Sequence, residues 1–283
     1  MNLGHVHPGH IGGAGPIGLV AALAAVLGAT VYLLAAHHLR RRGDLWPGWR
    51  DASFCTGSSG VVAAAVAPLP GGPLTTHMMQ HLIVGMAAPL LFVLARPLTL
   101  ALRVTAPGTA RRGLLALARS RPVGWLAFPP VAALLDLGGL WLLYRTQLFA
   151  TVQHDPWLHA LVYAHVLAAG LLCTFALCQL DPVRHHWGLG VREATLLTAG
   201  AAHAVLAKAV YAAPPPGTVF APADLHTGAQ VMYYGGDLVE GAVATVVAAS
   251  WYRAAGRARQ RRRRQPAPAP APTPRTVEAP TGP

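Results

Sequence analysis

Seven stretches of the chain are apolar over lengths that suit a membrane-crossing helix: Ile17–Ala36, Ala52–Pro68, Thr75–Ala95, Pro122–Tyr144, Trp157–Leu180, Val191–Ala212 and Gly228–Tyr252. Roughly 20 apolar residues in helical form cover the ~30 Å of hydrocarbon in a bilayer, and a helix satisfies its own backbone hydrogen bonds there. The second stretch is the shortest and weakest, with Cys55, Thr56, Ser58 and Ser59 in its first turns. The pattern predicts an all-α integral membrane protein, a bundle of about seven transmembrane helices over residues 17–252. Tails at 1–16 and 253–283 flank it.

Composition agrees. Of the 283 residues, 53% are hydrophobic and only 11% are charged, and the mean hydropathy is +0.42. A soluble chain carries about 25% charged residues. A net charge of +12 raises the question of nucleic acid, and its distribution answers it. Of 21 arginines, all but Arg145 follow the first stretch, lie between the third and fourth or the fifth and sixth, or follow the seventh. Alternate loops are therefore basic. The positive-inside rule places the N-terminus outside and the C-terminus in the cytoplasm, in a multi-pass protein of a plasma membrane.

"MNLGHVHPGH" lacks the basic start of a signal peptide, so the first stretch is expected to stay as an anchor. His5, His7 and His10 make the N-terminal tail a histidine-containing extracytoplasmic segment. "RARQRRRRQPAPAPAPTPRTVEAPTGP" cannot bury a core, and a disordered cytoplasmic tail with arginines at anionic headgroups is expected. The cysteines are three, and Cys173 and Cys178 at i, i+5 point apart on a helix, so packing rather than a disulfide framework is expected.

Topology turns sequence position into depth at about 1.5 Å per residue. His77 falls near the outer mouth and His81 one turn deeper, on the same helix face. His159 is shallow, and His165 lies roughly 9 Å below it on another face. Lys208, the only lysine, is about one turn below the surface, with His203 and Asp237 roughly 13 Å deep, Asp136 about 12 Å and Glu240 three residues beyond Asp237. Met232 is shallow, near Asp224 and His226 in the preceding loop. A charge at the bilayer centre costs about 2.5–3.5 kcal/mol on insertion scales, so Asp136, Lys208, Asp237 and Glu240 are expected to form an intramembrane polar network facing one another or a wet cavity.

Imidazole is a ligand for copper, zinc and iron, and thioether sulfur favours Cu(I). A His-x3-His pair on one face is a two-ligand clamp that neighbouring helices can complete. No nucleophile elbow, phosphate loop or dinucleotide fingerprint is present, and "GHIGGAGPIG" follows no strand. Nothing resembles a catalytic triad, so an enzyme is not expected.

"THMMQHLIVGMAAPLLFVLARPL" resembles the "HM-x-QH … P-L-L-x-L-x-x-P" signature of the CtaG family, the multi-span assembly factors of caa-type cytochrome c oxidases. "WLHALVYAHVLAAGLLCTFALCQLDP" looks like that family's second histidine helix with its closing Asp181-Pro182. "ADLHTGAQVMYYGGDLVE" is similar to its final-helix motif, Asp-Gln-x-x-Gly-Gly-x-x-Met-Trp. The resemblance runs from about Ser53 to Tyr252. Departures are Leu225 and His226 where glutamine is common, Tyr233 where tryptophan is usual, and Ala164 where an acidic residue often precedes His165.

The resemblance implies a bacterial assembly factor for haem–copper oxidase that supplies or positions copper on the extracytoplasmic side. Its partners would be oxidase subunits and extracytoplasmic copper chaperones, with no nucleic acid. It carries metal-ligand candidacy onto His77, His81, His159, His165, Asp224 and Met232; His203, Asp136, Lys208, Asp237 and Glu240 rest on depth. Two other readings stay open: a membrane b-type haem protein, and a proton-coupled transporter using the intramembrane charges.

Overall fold

The structure, a computed structural model, describes residues 15–182 and 185–264. His5, His7, His10, Arg184 and the Pro-Ala tail lie outside the described residues. Among those described there is helix and no strand. In chain order the helices are α1 (Pro16–Arg41), α2 (Gly48–Val66), α3 (Pro73–His81), a π-helical turn (Leu82–Ala87), α4 (Ala88–Ala95), α5 (Pro97–Val104), α6 (Thr109–Ala118) and α7 (Arg121–Leu126). Then come α8 (Pro129–Arg145), α9 (Leu148–His154), α10 (Pro156–Cys178), α11 (Leu189–Ala212) and α12 (Pro222–Arg264). Proline opens α1, α3, α5, α8, α10 and α12, the helix position where its missing N–H costs nothing.

Four helices are long and apolar enough to cross a membrane: Pro16–Arg41, the continuous run Pro73–Val104, Pro156–Cys178 and Leu189–Ala212. The other three expected spans fall short for identifiable reasons. α8 has 17 residues, α2 carries a Cys-Thr-Gly-Ser-Ser run, and α12 carries Asp237 and Glu240. The seventh stretch also does not end at Tyr252. α12 continues helical through Arg264, into the segment expected to be disordered. Alanine, arginine and glutamine propagate a helix that is already nucleated.

Neighbouring contacts give the helix directions. Leu74 and Thr75 meet Asp224, and Leu82 meets Gly235, so α3 and its π turn run parallel to α12. α11 runs against α12: His226 stacks on Tyr211, His203 meets Gly236, and Arg192 reaches Ser250. Two apolar clusters form the core of the bundle. One contains Leu74, Met78, Leu140, Tyr144, Leu206 and Met232; the other contains Leu90, Val93, Ala132, Cys173, Leu177 and Val247. α1 packs at the edge, with Leu19, Leu23, Leu27 and Leu34 exposed as a lipid-facing side would be.

The helix carrying His77 and His81 is pinned at both ends. Pro73 has no N–H, and the next two amides, Leu74 and Thr75, donate to the Asp224 carboxylate at 2.9 and 3.0 Å; the Thr75 hydroxyl donates to it at 2.6 Å. The first-turn donors that a helix leaves orphaned are thus satisfied from α12. The same three-residue sequence, Pro97-Leu98-Thr99, opens α5, where the Thr99 amide donates to Asp181 at 2.9 Å and its hydroxyl to the same oxygen. Arg96 and Gln179, with φ of 54° and 48°, turn the chain through left-handed backbone at this end.

Between the pins, Pro89 removes the amide that would bond the Gly85 carbonyl. The helix widens into the π turn, in which the Ala88 amide donates to Ile83. The Gly85 carbonyl lies against Gly170 of α10, where a β-carbon would overlap it. Glycine is required there by the close approach of two backbones.

Two outcomes are expected. Gly170→Ala should lower stability by about 1–3 kcal/mol through overpacking. Gly241→Ala, where an added β-carbon meets nothing within 4 Å, should follow helix propensity and stabilise by up to ~1 kcal/mol. Thermal unfolding of the two variants in detergent checks the opposite signs. Partial burial raises the Asp224 carboxyl, but hydrogen bonds from Thr75 and the Leu74 and Thr75 amides outweigh it and hold the group below its ordinary value. A carboxylate depressed in the folded state stabilises above its unfolded pKa and stops doing so as pH falls through the acid range. Asp224→Ala should therefore cost about 1–2 kcal/mol near pH 7 and progressively less as the pH drops below about 4, read from melting curves across pH.

Candidate metal-handling site

Following the chain inward from the Asp224 cap, His77 comes first, half-buried, its Nε2 3.0 Å from the Tyr144 hydroxyl of α8. Its ring stands edge-on to Phe149 of α9, with centroids 4.8 Å apart. One turn deeper, His81 is buried at 6% exposure, and neither ring nitrogen has a hydrogen-bond partner. Its ring centroid is 6.0 Å from that of His203 on α11, with the planes 42° apart. His203 is 2% exposed; its Nδ1 lies 3.3 Å from a Glu240 carboxylate oxygen, and its Nε2 is unpartnered.

Two small cavities meet at His81. A 60 Å³ cavity is lined by His81, Asp136, Cys173, His203 and Glu240 among apolar side chains. A 40 Å³ cavity is lined by His77, Gln80, His81, Tyr144, His159 and Tyr163. Gly236 permits the first arrangement: a β-carbon there would strike the His203 ring, 2.6 Å from Nδ1. Gly236 and Glu240 are one turn apart, so one face of α12 supplies both the gap and the carboxylate.

The site residues expected from sequence separate into those the fold brings together and those it does not. His81, His203, Asp136 and Glu240 share one cavity, and His77 and His159 share the next with His81. His159 is otherwise exposed, stacked over Tyr163 at 6.4 Å. His165 lines neither cavity; it is exposed, with its Nε2 against Gly139 of α8. Asp224 serves as the helix cap, with its oxygens occupied by Leu74 and Thr75. Met232, fully buried beside Met78 and Leu206, packs in the apolar core.

The expected four-residue charge network also divides. Lys208 is exposed with its Nζ 5.3 Å over the Tyr233 ring, and Asp237 is exposed, while Asp136 and Glu240 face the cavity. Among the described residues no three His, Cys, Asp or Glu side chains converge as a metal-binding group. The donor set that does converge is a pair of buried imidazoles with free nitrogens.

Sequence reading missed several participants. Tyr144 and Tyr163 carry no ligand signature, and Gln80 is spent on the Ala64 carbonyl at 2.9 Å. Cys173 was read as packing, and it lines the cavity. Depth put Asp237 level with His203, whereas the carboxylate that reaches His203 Nδ1 is Glu240, three residues farther along α12.

The described family model for cytochrome c oxidase caa3 assembly factors matches residues 30–254. Uncharacterized proteins of Mycobacterium bovis and Mycobacterium tuberculosis are each 34% identical over 173 residues, which is 58% of this chain and 26% of theirs. One of Mycobacterium leprae is 31% identical over 174 residues, again 58% of this chain and 26% of its own. The chain therefore spans only 26% of the length of these curated relatives. No solved structure matches it. The family match covers most of the membrane part and every histidine of the two cavities, and the chain belongs to the cytochrome c oxidase caa3 assembly factor family.

Proposed function

We propose that this chain assists assembly of haem–copper cytochrome c oxidase by binding copper as cargo at the buried histidine site and handing it to the oxidase on the extracytoplasmic side. The observation that carries the reading is the pair of buried imidazoles, His81 and His203, with three ring nitrogens unpartnered between them. Leaving such donors unpaired in an apolar interior costs about 1–3 kcal/mol each, so a site that keeps them has use for them. His159 and His77, in the neighbouring cavity, offer an approach from the mouth.

In this reading the chain crosses a bacterial plasma membrane seven times, with its N-terminus outside. The arginine distribution supports that orientation, and the opposed directions of α11 and α12 fit successive passes. Oxidase subunits and a copper chaperone are the partners, and the chain is not an enzyme. A haem between the histidine helices is disfavoured by volume, since cavities of 60 and 40 Å³ are far below the roughly 300 Å³ at which ligand pockets begin. A carrier using Asp136, Lys208, Asp237 and Glu240 is disfavoured by the exposure of Lys208 and Asp237.

In a strain lacking the protein, purified oxidase should carry markedly less copper per haem. The wild-type chain should restore it and His81→Ala should not. Metal analysis of the oxidase reads this directly, and normal copper content without the protein overturns the proposal. Reporter fusions at Thr109 and Pro215 should report cytoplasmic and extracytoplasmic locations respectively, and the reverse pattern would rule out the orientation.

A further inference from the structure

The cavity between α3, α8, α10, α11 and α12 is lined by His81, Asp136, Cys173, His203 and Glu240 among apolar side chains. Two features of it are unusual together. His81 and His203 are almost wholly buried, yet His81 keeps both nitrogens free and His203 keeps Nε2 free. No third His, Cys, Asp or Glu among the described residues joins them as a metal-binding group, although Asp136 and Cys173 line the same walls.

We propose that His81 and His203 form a two-coordinate site for monovalent copper, with Glu240 as the positioning residue that holds His203 Nδ1 and leaves Nε2 for the ion; this deepens, and rests on, the reading of the chain as a copper handler. Divalent zinc and copper take four or more ligands, and a pair of imidazoles leaves them unsaturated. Cu(I), a closed-shell monovalent ion, is satisfied by two nitrogen donors in line. The spacing suits this unit. With metal–nitrogen bonds of about 2 Å, two imidazoles bridged in line place their ring centroids roughly 6 Å apart, against 6.0 Å observed between His81 and His203.

The site also offers a counter-charge. An ion buried between apolar clusters needs one nearby. The Glu240 carboxylate lies 3.3 Å from His203 Nδ1, behind the imidazole. A carboxylate behind a ligating histidine fixes its tautomer and raises its basicity. The β-carbon-free Gly236 lets the ring sit where Glu240 can reach it. Cu(I) binding needs no redox step, and the ion enters and leaves as Cu(I).

The test uses the full-length protein in detergent, titrated anaerobically with Cu(I) against bicinchoninate, with Ag(I) as a second monovalent probe and Zn(II) as the divalent control. Wild type should bind one Cu(I), and X-ray absorption should report two nitrogen ligands. His81→Ala and His203→Ala should each weaken binding at least 100-fold. Glu240→Gln should weaken it about 10- to 100-fold while keeping the two-coordinate spectrum, a signature that a merely structural glutamate would not give. His203→Met, which keeps a soft ligand, should retain Cu(I) and Ag(I) binding with one sulfur scatterer and guards against misfolding of the alanine variant. Three or more ligands in the spectrum, Zn(II) binding as tight as Cu(I), or unchanged affinity in His203→Ala would each overturn the proposal. If His203→Ala restores oxidase copper in the deletion strain, this site is wrong and the assembly role stands; if Cu(I) binds as described but oxidase copper is normal without the protein, the site stands and the role is wrong.

Discussion

The position of the histidine helix depends on one carboxylate 150 residues away in the chain. Asp224 takes the two amides that the first turn of α3 exposes, at a helix start where proline has already removed a third donor. Because Asp224 is itself in the first turn of α12, the bond starts two parallel helices at one level. That level then propagates. Leu82 comes to lie against Gly235, and one residue later Gly236 receives the His203 ring, which places His203 near Glu240 and across from His81. At the other end Asp181 repeats the device on Thr99, so the long helix cannot slide along its axis. Asp224, a ligand candidate by sequence, and Asp181 both act as anchors for the histidine helix.

The polar layer these anchors position lies between the two apolar clusters. Along the run from α3 to α4, Met78 precedes His81 and Leu90 follows it; along α8, Asp136 sits between Ala132 and Leu140; along α12, Glu240 sits between Met232 and Val243. Apolar packing above and below lowers the local dielectric, which strengthens interactions among the groups inside and penalises any left alone. The π turn belongs to this design. A proline eight residues after His81 frees the Gly85 carbonyl, and the widened turn lets α10 approach it at Gly170. The helix therefore widens locally while staying pinned at both ends.

Much of this was readable in the sequence, and the remainder divides along a physical line. Axial position follows from counting at 1.5 Å per residue, so the placement of His81, His203, Asp136 and Glu240 in the outer half of the bundle was accessible. Rotation about the helix axis was not. The long helices are apolar nearly all round, so no stripe says which side faces the bundle; depth put Lys208 and Asp237 in the site, and the family resemblance put His165 there, although all three are exposed. Met232 shows the same ambiguity from the other side, since a thioether beside histidines reads as a ligand until packing against Met78 and Leu206 assigns it to the core. Asp224 failed for another reason. Its partners are backbone amides, which carry no residue signature, and only the repeated Pro-Leu-Thr at 73–75 and 97–99 hinted at a shared capping device. Likewise α2 and α8 belong to the bundle without meeting a membrane helix's length or composition by themselves, because neighbours bury what their own residues do not.

The two ends of the polar layer differ in a way that bears on what it can do. Toward the α3 start, His81 opens into the second cavity, then His77 and the exposed His159, a graded series from buried to accessible. Toward the other end stand Leu90, Val93, Leu177 and Val247, and beyond them Arg192 donates to the Leu177 and Cys178 carbonyls and reaches Ser250. The guanidinium is held by backbone oxygens at the end of α10 and ties α10, α11 and α12 together there. A carrier needs a second opening on that side, and moving these helices apart would strand a buried guanidinium and the carbonyls it bonds. A layer closed on one side and graded on the other suits holding a cargo for a partner that approaches from the open side.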